Sequence, residues 1–406
     1  MELTKKKEIL SNLVSLSSIN ILGILIPIIT MPILSRSLGI DTYGEYLLFM
    51  TILIFGHTIT DYSVQYIGVR QASNHKYNNI KLSVIYINYQ TLRLFLGSVY
   101  FLLSLSYSIC FLNVHFTYWI LYGGSLYLIG YVLTSAWFYL SIGNTKILII
   151  SSLFTKLINL LIIIFFIKKS DDIDLLILST TLPLFISGFL LYLNIKLKFK
   201  LKFIFRAKNI YRYIIKGKNV FLGILSPNLY NSLPIIILGS ISTPSEFSKF
   251  AIATRIIGLI TSFQDIFARS VFPILSREKK NHIITLLKIN SLFSVLAVVF
   301  ILCFGEYFLY LFLGKDYANN IYLNILSISI IFIGFMNSFS DGFFLPKKYD
   351  LIYRNISIRI SLISCTISFI LILKFGILGG CIGITTARML FSIDYFRTYY
   401  NLSKKV

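Results

Sequence analysis

Residues 147–167 read ILIISSLFTKLINLLIIIFFI, 21 positions with a single charge, Lys156. An α-helix rises about 1.5 Å per residue, so the stretch covers about 30 Å, the thickness of bilayer hydrocarbon. A second run, Ile289 to Phe304 (INSLFSVLAVVFILCF), carries no charge at all. Both runs are continuous rather than alternating, which argues against the strand pattern of a membrane β-barrel. The whole chain of 406 residues has the same character: 56% hydrophobic and 13% charged, too apolar for a soluble domain of this length. The fold class that follows is an all-α integral membrane protein.

About 12 spans are expected, at 13–34, 43–67, 81–107, 116–140, 147–167, 173–195, 218–240, 247–272, 285–312, 319–343, 353–373 and 376–398. A shift of about 204 residues lays the second six onto the first six. The best local match sets Leu34, Tyr43, Gly44, Glu45, Tyr46 and Asp61 against Leu238, Phe247, Ser248, Lys249, Phe250 and Asp265. Each half holds an even number of spans, so the repeat is parallel, the build of a transporter with two six-helix bundles. The expected organisation is an N-terminal bundle over 1–195, a basic linker over 196–217 and a C-terminal bundle over 218–406.

The net charge of +22 could point to nucleic acid, but its placement does not. Alternate short loops hold about 24 lysines and arginines, among them Lys5 to Lys7, Lys196 to Lys218 and Lys404; the opposite loops hold about six. The positive-inside rule then places both termini in the cytoplasm. The basic linker reads as a topogenic segment drawn to anionic headgroups. Lys5 to Lys7 resemble a signal-peptide n-region, yet Leu13 to Leu34 is long and lacks a small-x-small cleavage site, so it reads as a retained span. The four cysteines show no CxxC or zinc-like spacing, and no Walker sequence is present, so neither a metal cofactor nor an ATPase unit is expected.

Charged side chains near the bilayer centre are costly and face a cavity or a partner. Arg93, Lys156 and Arg388 fall close to the expected midplane, Arg255 slightly outside it, and Asp61, Asp265, Arg269 and Arg359 toward the cytoplasm. The excess of cations suits an anionic substrate, for which these arginines and Lys156 are the candidate binding residues. Asp265 and Arg269, one turn apart, could instead neutralise each other. Asp61 and Asp265 are equivalent under the repeat, and Lys156 and Arg359 nearly so. His57, Asp61 and Gln65 follow one helical stripe, a spacing suited to a proton relay. Pro27 in span one and Asn231 beside Pro227 and Pro234 in span seven mark bent helices suited to a gate. Coupling to protons or sodium is therefore expected to involve His57, Asp61 and Asp265.

The run Leu34-Ser35-Arg36-Ser37-Leu38-Gly39, then Tyr43-Gly44-Glu45-Tyr46, then Arg70-Gln71-Ala72-Ser73, set in a twelve-span layout, resembles the polysaccharide-transporter family of Wzx-type flippases. The resemblance implies the multidrug/oligosaccharidyl-lipid/polysaccharide exporter fold, with a central cavity lined by spans one, two, seven and eight. It implies an undecaprenyl-pyrophosphate-linked oligosaccharide as substrate, the bacterial inner membrane as location, and a polysaccharide polymerase and chain-length regulator as partners in O-antigen or capsule assembly. Rival readings are an ion-coupled multidrug exporter, a peptidoglycan-precursor flippase and a membrane polymerase or ligase. The basic interior opposes the first, the twelve-span layout the second, and the lack of a large outward loop the third.

Overall fold

The computed structural model describes residues 2–201, 203–275, 283–318, 320–345, 347 and 349–404, with no side-chain description for 2–20, 22, 265–275, 285 and 350. Among the described residues all regular structure is helical. Nine helical stretches among the described residues are long and apolar enough to cross a membrane. Two of them are too long for one crossing: Gly23–Asp61 has 39 residues and Leu351–Ser403 has 53, against the ~20 that a straight span needs. Each contains one residue with non-helical backbone, Gly39 (φ 74°) and Gly376 (φ 55°). A positive φ is cheap only for glycine, so these two positions reverse the chain where loops are expected.

The 204-residue shift reappears in the element bounds. The end of helix Asn79–Phe111 maps onto 315, and the corresponding helix of the second half ends at Leu313. Helix Lys146–Phe166 maps onto 350–370, and the last helix begins at Asp350. The short turn Ser170–Asp172 maps onto 374–376, where Gly376 breaks that helix. Duplication is thus legible in structure as well as in sequence.

The chain forms two compact units, residues 1–42 with 49–225, and residues 43–48 with 226–406. The core of the first includes Tyr86, Tyr89, Trp137, Phe138 and Tyr139, all buried, between helix Asn79–Phe111 and the short helix Ala136–Ile142. The core of the second includes Tyr230, Phe339, Phe344, Phe391 and Tyr395. Tyr43–Leu48 belongs with the second unit by close backbone approach. A Cβ on Gly44 would lie 2.2 Å from the Pro244 carbonyl oxygen and 3.1 Å from Cβ of Ser248, its repeat equivalent.

Candidate functional site

In the first unit the charges converge on Asp61, the last residue of its helix. A carboxylate at a helix C-terminus faces the negative end of the macrodipole and needs a cation. Arg93, from the middle of helix Asn79–Phe111, supplies it: Nε donates to Asp61 Oδ1 at 3.0 Å. Arg93 is 0% exposed and Asp61 15%. The other carboxylate oxygen accepts from the Tyr131 hydroxyl at 2.5 Å and from Gln65 Nε2 at 3.0 Å.

A second helix end completes the arginine's shell. Helix Ser125–Thr134 stops at Ser135, which is left-handed at φ 43°. Carbonyls of a last helical turn lack helical partners. Those of Val132 and Tyr131 accept from the Arg93 terminal nitrogens at 2.8 and 3.1 Å, and Val132 also accepts from Gln90 Nε2 at 2.6 Å. The guanidinium also lies 5.2 Å from the Tyr131 ring centroid. One cation therefore joins the ends of two helices.

His57 stands one turn before Asp61, its ring stacked on Tyr131 at 3.6 Å and on Tyr127 at 5.4 Å. Its Nε2 is buried and, among the described residues, has no hydrogen-bond partner. After Asp61 the chain turns through Tyr62 (φ 49°) into a π-helical turn, Val64–Gly68. Wide turns of this kind are frequent at functional sites.

The second unit arranges its charges differently. Arg388, half-buried on the helix after Gly376, donates from Nη1 to Ser329 Oγ at 2.5 Å and lies near Tyr230. Among the described residues no carboxylate pairs with it. Arg255, on helix Pro244–Leu275, sits beside the Tyr43 hydroxyl. Arg359 is 59% exposed and pairs with Asp394. A neutral network links three helices nearby in sequence: Gln264 donates to Ser294 at 2.7 Å, and Asn290 to Ser338 at 2.7 Å.

The remaining sequence-derived residues are dispersed. Lys156 is half-buried, with Nζ 3.7 Å from the position of a Cβ on Gly23. The helix runs on through Pro27 and Pro32, and the Thr30 hydroxyl bonds to the Ile26 carbonyl at 3.0 Å. In the other half the helix does break, between Asn231 and Leu233. The side chains of Asp265 and Arg269 lie outside the described residues. The arrangement thus joins His57, Asp61 and Arg93 in one cluster, to which Tyr127, Tyr131 and Gln90 also belong.

Comparison with known proteins gives a family. A family model described as polysaccharide biosynthesis protein matches residues 9–279. A curated protein of Shigella dysenteriae named "Putative O-antigen transporter" is 23% identical over 379 residues, covering 90% of this chain and 93% of its own length. The capsular polysaccharide biosynthesis protein CapF of Staphylococcus aureus is 30% identical over 189 residues, 42% of this chain and 46% of its own. Among solved structures, the lipid II flippase MurJ in an inward closed conformation is similar with a TM-score of 0.70 at 13% identity, covering 95% of this chain and 87% of that one. An inward-facing multidrug transporter of the MATE family gives 0.67 at 15% identity, with 93% and 94% covered. At those identities the likeness concerns the fold.

Proposed function

The chain belongs to the polysaccharide biosynthesis protein family, and on that footing we propose that it is a flippase for undecaprenyl-pyrophosphate-linked oligosaccharide repeat units. It works by alternating access in the bacterial inner membrane, with both termini cytoplasmic, and feeds a polymerase and chain-length regulator of O-antigen or capsule assembly. The curated relatives named for O-antigen transport and capsular polysaccharide support the substrate class.

The observation that carries the anionic substrate is Arg388. A half-buried guanidinium inside an apolar unit is held by a neutral hydroxyl and has, among the described residues, no carboxylate to balance it. A pyrophosphate would supply the counter-charge through two parallel hydrogen bonds. Arg255 and Arg269 are the next candidates, followed by Lys156 and Arg359. Arg93 is engaged by Asp61 and two carbonyls, so a substrate role requires that cluster to open. Coupling falls to His57 and Asp61, with Asp265 as the repeat equivalent, Pro27 and Asn231 as gate positions, and a proton as the coupling ion.

Reconstitution tests this reading. Vesicles holding the wild-type chain should translocate a fluorescent undecaprenyl-pyrophosphate oligosaccharide. Arg388→Gln should abolish that while inserting normally. Equal translocation by the two proteins would remove Arg388 from the site.

A further inference from the structure

A groove of about 360 Å³ opens where helix Asn79–Phe111 begins and the chain leaving helix Ile173–Lys198 crosses it. One wall is a single helical face, Ile80, Val84 and Ile87; the other is Phe199 and Leu201. Lys200 and Arg206 also line it. Ile80 is 82% exposed, which water would penalise and lipid would not.

The crossing segment is fixed against the helix. Lys200 adopts φ 54°, a left-handed conformation uncommon for a residue with a Cβ. The Arg206 amide donates to Thr91 Oγ1 at 3.3 Å, and Asn209 Nδ2 donates to Asn88 Oδ1 at 3.0 Å. The two cations are therefore carried by a pinned backbone rather than by a loose loop. Among the described residues neither forms an ion pair, and the sequence offers no Asp or Glu from 62 to 170 or from 175 to 245.

The groove lies at the end of a helix long and apolar enough to cross a membrane, and the ends of such a helix meet the lipid headgroups. We propose that it is a binding site for an anionic phospholipid, whose phosphate sits between Lys200 and Arg206 and whose acyl stem lies on Ile80 and Val84. Apolar wall and cation pair together select an amphiphile with a negative head; a zwitterionic lipid satisfies only the wall. The site is separate from substrate translocation, and its test reads lipid retention rather than transport.

Native mass spectrometry of the full chain released from nanodiscs, titrated with phosphatidylglycerol or phosphatidylcholine, reads the site directly. Wild type should retain phosphatidylglycerol the more tightly. Lys200→Gln with Arg206→Gln should weaken that retention roughly 30-fold, because two direct charge-assisted contacts to one phosphate are lost. Lys208→Gln with Arg212→Gln removes the same charge from the same segment outside the groove, where attraction to the bound lipid is through solvent and screened by salt, and should cost less than about threefold. Val84→Trp fills the groove without changing charge and should also displace the lipid. Equal losses from the two charge pairs would mean diffuse attraction and overturn the site. So would wild-type retention by Val84→Trp, equal affinity for phosphatidylcholine, or displacement by inorganic phosphate alone.

Discussion

Arg93 and Arg388 are both guanidinium groups inside apolar helical units, and they are held in opposite ways. Arg93 has a carboxylate, two carbonyls and an aromatic face around it. Arg388 has, among the described residues, a serine hydroxyl and a neighbouring tyrosine but no carboxylate. The repeat does not relate them: the position 204 residues after Arg93 is Ala297, and that 204 residues before Arg388 is Leu184. The two halves share helix positions but not these cations. A neutralised cation fixes structure, whereas one without a counter-charge is costly unless something else supplies it. The first unit is thereby expected to lock or couple, and the second to bind.

The largest effect should come from breaking the neutralised pair. Arg93→Ala leaves the Asp61 carboxylate without its cation, and the Val132 and Tyr131 carbonyls each lose one of their donors. Removing one partner of a buried pair costs about 3–5 kcal/mol, so thermal unfolding in detergent should shift sharply downward. Replacing both partners, Arg93→Met with Asp61→Leu, should recover much of that loss, because no charge is then left buried. A single variant as stable as wild type would show that the cluster does not hold the two helix ends together.

Arg388 should respond less in stability and more in function. Arg388→Met gives up one hydrogen bond to a neutral hydroxyl, about 1–3 kcal/mol, and is relieved of a desolvated charge of similar size. Its melting curve is therefore expected within about 1 kcal/mol of wild type. A fall as large as that of Arg93→Ala would make Arg388 a structural residue and cancel the contrast.

Much of this was open to sequence reasoning, and the part that was not has a physical cause. Continuous apolar runs point to the all-helical membrane fold, and the duplication can be read from Asp61 and Asp265 or from Tyr43-Gly44 and Phe247-Ser248. The Asp61–Arg93 pair escaped because its partners are 32 residues apart on two helices, where no helical spacing relates them. A signal existed nonetheless. Asp61 is the lone acid between Glu45 and Asp171, and Arg93 the lone lysine or arginine between Lys81 and Lys146. Two isolated opposite charges in apolar surroundings should seek each other. Tyr127 and Tyr131, one turn apart, likewise spell a slot for a planar ring, but which ring fills it depends on packing. The break after Asn231 follows from the prolines that flank it; Pro27 has the same chemistry without a break, because helix continuity depends on the neighbours that take up freed carbonyls.

The smallest structural effect, and the sharpest test of the first unit's role, belongs to His57. Its ring is held by stacking on Tyr127 and Tyr131, while Nε2 has no partner among the described residues. Phenylalanine keeps a planar ring in that slot and removes both nitrogens. His57→Phe should therefore fold within about 0.5 kcal/mol of wild type, the range of a substitution that breaks no specific interaction. If the imidazole relays protons to Asp61, the variant should lose the stimulation of vesicle translocation by an imposed proton gradient. Undiminished stimulation would reduce His57 to packing, leaving Asp61 and Arg93 as a static clasp. Loss of stimulation with an unchanged melting curve would instead separate coupling from stability, which the tightly bound Arg93 cannot do because its removal disturbs both.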